Sequence, residues 1–215
     1  MRNIVAQKLK HGLRYVVDRV MLPYVATADI VRFDDKIDDT GLDRSLEFNS
    51  HLHLLRTLEL QRMPKPKAVL LSVGCADRYY FDWVEAACGP IRKHIGVELY
   101  RPVPEELPDN VEWVAASASS MPQVKDNSVD VLFSGQNIEH LSADDLYNFL
   151  LEAHRVIKSG GKLVIDSPNR LVTQQTGWRH PEHTIEFSPS EARALVEAAG
   201  FMVNLWAITE SRDRR

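Results

Sequence analysis

The chain has 215 residues, 44% hydrophobic and 26% charged, with 26 basic against 30 acidic side chains and a net charge of −4. That length suits one substantial α/β domain with an elaboration, and the mild acidity offers no basic surface for nucleic acid. The two cysteines, Cys75 and Cys88, make neither a disulfide framework nor a metal-ligand pattern, so no metal is expected and the reducing cytoplasm is the default compartment.

Residues 1–24 are expected to form an amphipathic helix, with Val5, Leu9, Leu13, Val16, Val17 and Val20 at helical spacing. Its charges are mostly basic (Arg2, Lys8, Lys10, Arg14 and Arg19 against Asp18). Two readings stand: peripheral membrane contact, or a lid or packing helix with a solvated basic face. The same charges interrupt any signal-peptide core, and no apolar run reaches the length of a membrane span. Residues 29–47 are acidic and read as a solvated loop. A second helix is expected from about Leu42 to Leu60, ending before the linker Pro64-Lys65-Pro66. Residues 1–63 are thus a helical extension or lid, and 64–215 a separate domain. His51 and His53, two apart, do not share a helix face and are not a metal pair.

From residue 67 strands and helices alternate. Ala68–Val73 is a continuous apolar run, as a buried parallel strand requires, and Asp77–Ala87 reads as a helix. Strands are expected at His94–Leu99, Val111–Ala116 and Val129–Ser134, the last introduced by the turn residues Asp126-Asn127-Ser128. Ala143–Ile157 is a helix capped by Ser142, with Asp145 at its third position, and Gly160-Gly161 is expected to stop it. Lys162–Asp166 is the fifth strand. Ser190–Ala199 is a helix preceded by Ser188-Pro189 and closed by Gly200, and Phe201–Thr209 is the sixth strand. The order implies a doubly wound, mostly parallel, Rossmann-like sheet of six or seven strands.

In such a sheet ligands bind at the carboxyl ends of the strands, where strand order reverses. The first strand ends in "VLLSVGCADRYY", and Glu98 closes the second. A carboxylate there can accept from both hydroxyls of a ribose. The dinucleotide fingerprint G-x-G-x-x-G is missing, and Asp77 would oppose a pyrophosphate. The sulfonium and ammonium of S-adenosylmethionine, which has no phosphate, tolerate an acid in that loop.

The ordered set "SVGCADRYY", "IGVELYRP", "SASSMPQVKDNSVDVLFSGQNIEHL", "EAHRVIKSGGKLVIDSPN" and "HTIEFSPSEARALVEAAGF" resembles class I S-adenosylmethionine-dependent methyltransferases over about residues 66–205. It is most similar to the small-molecule branch of quinone, polyketide and cell-surface polysaccharide pathways. The resemblance implies that Gly74, Cys75 and Ala76 surround the methionine part of S-adenosyl-L-methionine. It implies that Glu98 holds the ribose, and that Leu99, Ser117 and Ala118 lie about the adenine. Ser134 and Gln136 would stand beside the reactive methyl. His140 follows as a candidate general base or as a helix cap. His183, with Trp178, His180, Asn169 and Arg170, belongs to a long connection, 167–188, read as a substrate-side loop. Tyr79, Tyr80 and Trp83 would either face the sulfonium or pack in the core.

Three departures accompany the resemblance. Ala76 and Arg78 replace common glycines, and Ser117 replaces an Asp that accepts from the adenine amine. After the sixth strand only Glu210–Arg215 follow, so the family's seventh, antiparallel strand is missing, or strand six pairs differently, or the chain stops short. The implied activity is methyl transfer to a small-molecule or glycan-precursor acceptor, at oxygen. The alternative is a methyltransferase-like binding or scaffold protein without turnover.

Overall fold

The computed structural model describes residues 2–25, 68–75, 78–88, 91–176 and 180–203. The elements are α1 (Arg2–Val25), β1 (Val69–Val73), α2 (Arg78–Cys88), β2 (Lys93–Glu98), β3 (Val111–Ala115), β4 (Val129–Gly135), a 3-10 turn (Ile138–His140), α3 (Ala143–Val156), β5 (Ile157–Asp166), α4 (Arg170–Thr176) and α5 (Pro189–Ala198). The strands form one sheet in the order β3-β2-β1-β4-β5, every pair parallel. Strand order therefore reverses between β1 and β4, which are neighbours.

Alternation along β1 explains the layering. Val69, Leu71 and Val73 face one side, with the large core formed by Leu146, Phe149, Leu150, Ala153 and Val156 of α3 and Leu195 of α5. Leu70 faces the other side with Val131, Phe133 and Val84 of α2. Tyr80 and Trp83 pack in that second cluster, Tyr80 stacked on Phe133 at 6.0 Å between ring centroids. These two rings belong to the core. Gly96 lets α2 come so close: a Cβ there would stand 2.3 Å from Phe81 Cζ. Under the same ring, His94 and Ser72 pair at 2.7 Å, fully buried.

α1 adds an outer layer on the α3–α5 side. Leu13, Val17, Val20 and Met21 are buried and join the main core. Arg14 bonds Asp144 of α3 and lies 5.6 Å from the Tyr147 ring centroid. No described helix is long and apolar enough to cross a membrane.

The structure corrects two expectations. Gly160-Gly161 does not stop the helix. α3 ends at Val156, and β5 begins at Ile157. Val129 pairs with Ile157 but Val131 pairs with Lys162, so the glycines sit in a bulge of β5, with Gly160 at φ +79°. The second correction concerns strand number: five strands stand among the described residues. Phe201, Met202 and Val203 are irregular, and the rest of the expected sixth strand lies outside the described residues. The helix expected at 42–60 and the acidic stretch 29–47 lie outside them too. Ser142 caps α3 as expected, and Ser188 caps α5 in a full capping box with Glu191.

Arg155 joins α3 to the connection between β3 and β4. It donates to the carbonyls of Met121 and Val124, at 2.9 and 2.7 Å, and to Asp126 and Glu152. Glu152 in turn accepts from Met121 N at 2.7 Å, and Arg155 holds its carboxyl below the ordinary range.

Candidate functional site

Sheet register places the candidate residues in one row. Val114, Val97, Val73, Ser134 and Ile165 align across β3, β2, β1, β4 and β5. One residue further along lie the pairs Ala115–Glu98 and Gly135–Asp166, with Gly74 between them. The carboxyl ends of all five strands thus converge on the β1–β4 switch.

Gly74 takes φ +65° and donates its N–H to Val97 O at 2.9 Å. The left-handed turn bends the chain over β2, and it suits glycine because a Cβ costs about 1–2 kcal/mol there. A Cβ would also stand 3.0 Å from Asn137 Oδ1, so the loops after β1 and β4 nearly touch at this point. The Cys75 thiol is buried, 3.7 Å from Val97 O. Ala76 and Asp77 lie outside the described residues. Arg78 points away from the row: it bonds Glu106 at 2.9 Å and lies 3.5 Å from Asp82.

Glu98 is buried at the end of β2, and its Oε1 accepts from Tyr100 N at 2.9 Å and Arg101 N at 3.2 Å. The turn after β2 thereby fixes the carboxylate. Leu99 beside it is 52% exposed, an apolar face next to an anchored acid. Ser117 stands apart. Its hydroxyl meets Ser119 Oγ at 2.8 Å, and Ser119 donates to Asp145 at 2.9 Å. The serine is absorbed into the capping network of α3, and neighbouring Ala118 packs against the core.

After β4, Gln136 adopts φ +48° and donates through Nε2 to Asp166 at 2.8 Å, which closes the gap to β5. Ser134 Oγ, Asn137 Nδ2, Ser167 Oγ and Asn169 Nδ2 are buried and have no hydrogen-bond partner among the described residues. Such groups are costly unless something polar meets them. Four of them at the ends of β4 and β5 make this part of the edge suited to a polar ligand.

His140 and His183 come together although far apart in sequence. Their ring centroids are 4.9 Å apart, and His180 stacks on His183 at 4.6 Å. Backbone bonds fasten the two segments: Thr184 N and Ile185 N donate to Glu139 O at 2.8 and 3.1 Å. His183 Nδ1 lies 2.9 Å from Glu186 Oε1, while Thr173 donates to the other oxygen of that carboxylate. Burial holds His183 below its ordinary value, with Glu186 opposing and the neighbouring His140 and His180 reinforcing the shift.

The 3-10 turn and Glu186 were missed by sequence reasoning. The i, i+3 spacing of His183 and Glu186 was the available signal for the last. Arg170 is structural, paired through both oxygens of Glu191 at 2.7 Å. Burial pushes Glu191 up, but Arg170 and Ser188 outweigh it and hold the carboxyl below its ordinary range. Trp178 lies outside the described residues.

Residues 71–165 match the methyltransferase domain family. A protein of Mycolicibacterium smegmatis, named a probable S-adenosylmethionine-dependent methyltransferase, is 30% identical over 138 residues, 62% of this chain and 52% of its own length. The chain therefore spans about half the length of that relative. Among solved structures, an S-adenosylmethionine-dependent methyltransferase from Aquifex aeolicus superposes with a TM-score of 0.57 at 23% identity, covering 79% of this chain and 92% of that one. A Burkholderia thailandensis 1,6-didemethyltoxoflavin N1-methyltransferase, solved with that substrate and S-adenosylhomocysteine, gives 0.54 at 19% identity, covering 74% and 71%.

Proposed function

We propose that the chain carries a class I S-adenosylmethionine-dependent methyltransferase domain, binds S-adenosylmethionine at the β1–β4 switch and methylates an oxygen of a small-molecule or sugar-containing acceptor. One observation carries the reading: Gly74 and anchored Glu98 stand in one row at the reversal point of the sheet, with Asn137 of the loop after β4 against Gly74. When bound, S-adenosylmethionine supplies an electrophilic methyl group on a sulfonium.

The residues fit that group. Gly74 and Cys75, followed in sequence by Ala76, would serve its methionine part, and the bare backbone of Gly74 allows close approach. Glu98 offers a carboxylate to the ribose hydroxyls, and exposed Leu99 offers an apolar face to the adenine. Ser117 is committed to Ser119, so adenine contacts rest on backbone and on Ala118 more than on a side-chain acceptor. Ser134 and Asn137 bring buried, unpaired polar atoms to the methyl side, and Gln136 holds that loop to β5. His140 stands at the acceptor side and takes the acceptor's proton as the carbon–oxygen bond forms. Orientation and exclusion of water are the other contributions of the chain.

Division at residue 63/64 is part of the same proposal, with α1 serving the 64–215 unit as an outer packing layer. Any membrane contact through residues 1–24 would use the basic outer face of α1, because Leu13, Val17, Val20 and Met21 are taken up by the core.

Calorimetric titration with S-adenosylmethionine and S-adenosylhomocysteine tests the reading. Binding should appear and should weaken roughly 10–100-fold in Glu98→Gln, the loss of a charge-assisted hydrogen bond. No binding at millimolar ligand would sink the proposal and leave a non-binding scaffold.

A further inference from the structure

We infer that Glu139, His140 and His183 form a binding site for one divalent first-row transition cation on the acceptor side of the cleft. One potential ligand atom from each, a ring nitrogen of either histidine and a carboxylate oxygen of Glu139, lies within 4.8 Å of the other two. Three atoms at that maximal spacing leave a central point about 2.8 Å from each, so closure by less than about 1 Å reaches the 2.0–2.2 Å of imidazole and carboxylate ligation.

The hydrogen bonds orient both imidazoles as ligands. Glu182 O can only accept, so His140 Nδ1, 3.1 Å away, carries the proton. The Glu186 carboxylate does the same for His183 Nδ1. Each ring is thereby left with an Nε2 lone pair, and each has a carbonyl or carboxylate behind it. This is the outer-shell arrangement that fixes metal-bound histidine and raises its basicity. The third ligand, Glu139, is wholly buried, so its carboxylate gains more from a cation there than it would in water. Bonds from Thr184 N and Ile185 N to Glu139 O, and from Thr184 Oγ1 to His140 O at 3.2 Å, set the two segments before any ion arrives.

His180 is adjacent but differently arranged. Its Nδ1 accepts from Glu182 N at 3.2 Å, which puts the neutral ring's proton on Nε2 and leaves no lone pair for a metal. Two nitrogens and one carboxylate from protein, with positions left for an acceptor oxygen, match zinc, iron(II) or manganese(II) sites better than calcium or magnesium ones.

Binding of the cation stands without reference to methyl transfer; its chemical consequence rests on the proposed function. A coordinated acceptor hydroxyl becomes more acidic and loses its proton to solvent as the methyl carbon bonds the oxygen and leaves sulfur. His140 is then a ligand, and the cation replaces it in promoting proton loss.

The test uses the full chain, freed of metal by chelation. Zinc chloride is titrated calorimetrically and cobalt(II) chloride by its visible absorption. One ion per chain is expected. His140→Ala and His183→Ala should each lower affinity more than about 100-fold, Glu186→Gln roughly 10–100-fold, and His180→Ala less than about threefold. Thermal unfolding confirms that each variant is folded, and Glu186→Gln alters no ligand if an alanine variant fails. No stoichiometric uptake at about 100 µM free zinc, or uptake undiminished in both His140→Ala and His183→Ala, overturns the site. S-adenosylmethionine titrated into the same samples separates the two proposals. Cofactor binding without zinc uptake defeats the metal site alone, and zinc uptake without cofactor binding defeats the methyltransferase reading alone.

Discussion

His94 should make the protein lose stability in mild acid. The ring is 1% exposed, in β2 under Phe81, and burial alone pushes its pKa from 6.5 down to about 3. A depressed folded value means that the unfolded chain takes up the proton first. Stability is therefore full above pH 6.5 and falls by about 1.36 kcal/mol per pH unit below it, until about pH 3. Between pH 7.5 and 5.0 the expected loss from this group is about 2 kcal/mol. The measurement is urea unfolding at both pH values for wild type and His94→Gln, which keeps a polar partner for Ser72. Carboxylates and His183 titrate alike in both proteins, so the difference isolates His94. Wild type should lose about 2 kcal/mol more than the variant. Equal losses, within about 0.5 kcal/mol, would refute the burial argument.

Further outcomes follow from packing. Gly96→Ala drives a methyl into Phe81 and should cost about 1–3 kcal/mol by denaturant midpoint, with relief in Gly96→Ala/Phe81→Leu. Gly74→Ala should cost about 1–2 kcal/mol from the left-handed backbone, and it should also weaken S-adenosylmethionine in calorimetry, because Asn137 must shift. Arg155→Ala removes the guanidinium bonds to the Met121 and Val124 carbonyls and leaves Glu152 with the Met121 amide, and should cost about 2–3 kcal/mol, with faster amide exchange in residues 121–128. Ser188→Ala removes the capping box and should cost about 1 kcal/mol, seen as lower thermal stability.

Local signals in the sequence carried most of the sheet. The run Val69–Val73, the Asp126-Asn127-Ser128 turn, and the Ser142 and Ser188 caps each act over a few residues, so they can be read without knowing the fold. Gly160-Gly161 misled because a glycine pair marks either a helix stop or a strand bulge, and only pairing with β4 decides between them. Glu98 was legible as a strand-end acid, but its anchoring by the amides of residues 100 and 101 depends on the turn that follows. Ser117 stood at the expected position, yet Ser119 and Asp145 capture its hydroxyl. The histidine cluster was hidden for a plainer reason: His140 and His183 sit on separate segments, and backbone bonds from Thr184 and Ile185 to Glu139 bring them together. No spacing rule records such a contact.

The outer position of α1 bears on how the chain folds during synthesis. The helix is made before its partners α3 and α5 emerge. About 170 residues separate the end of α1 from the end of α5. At roughly 5–20 residues per second the ribosome takes about 9–35 seconds to cover that distance. Until α3 has emerged the stripe Leu13, Val17, Val20 and Met21 has neither partner helix to meet, and nascent chains arrested near residue 140 should crosslink to ribosome-associated chaperones through it. Crosslinking should vanish once residue 203 has cleared the exit tunnel. Replacement of the four side chains by polar ones should reduce the early crosslinks and weaken the finished protein together.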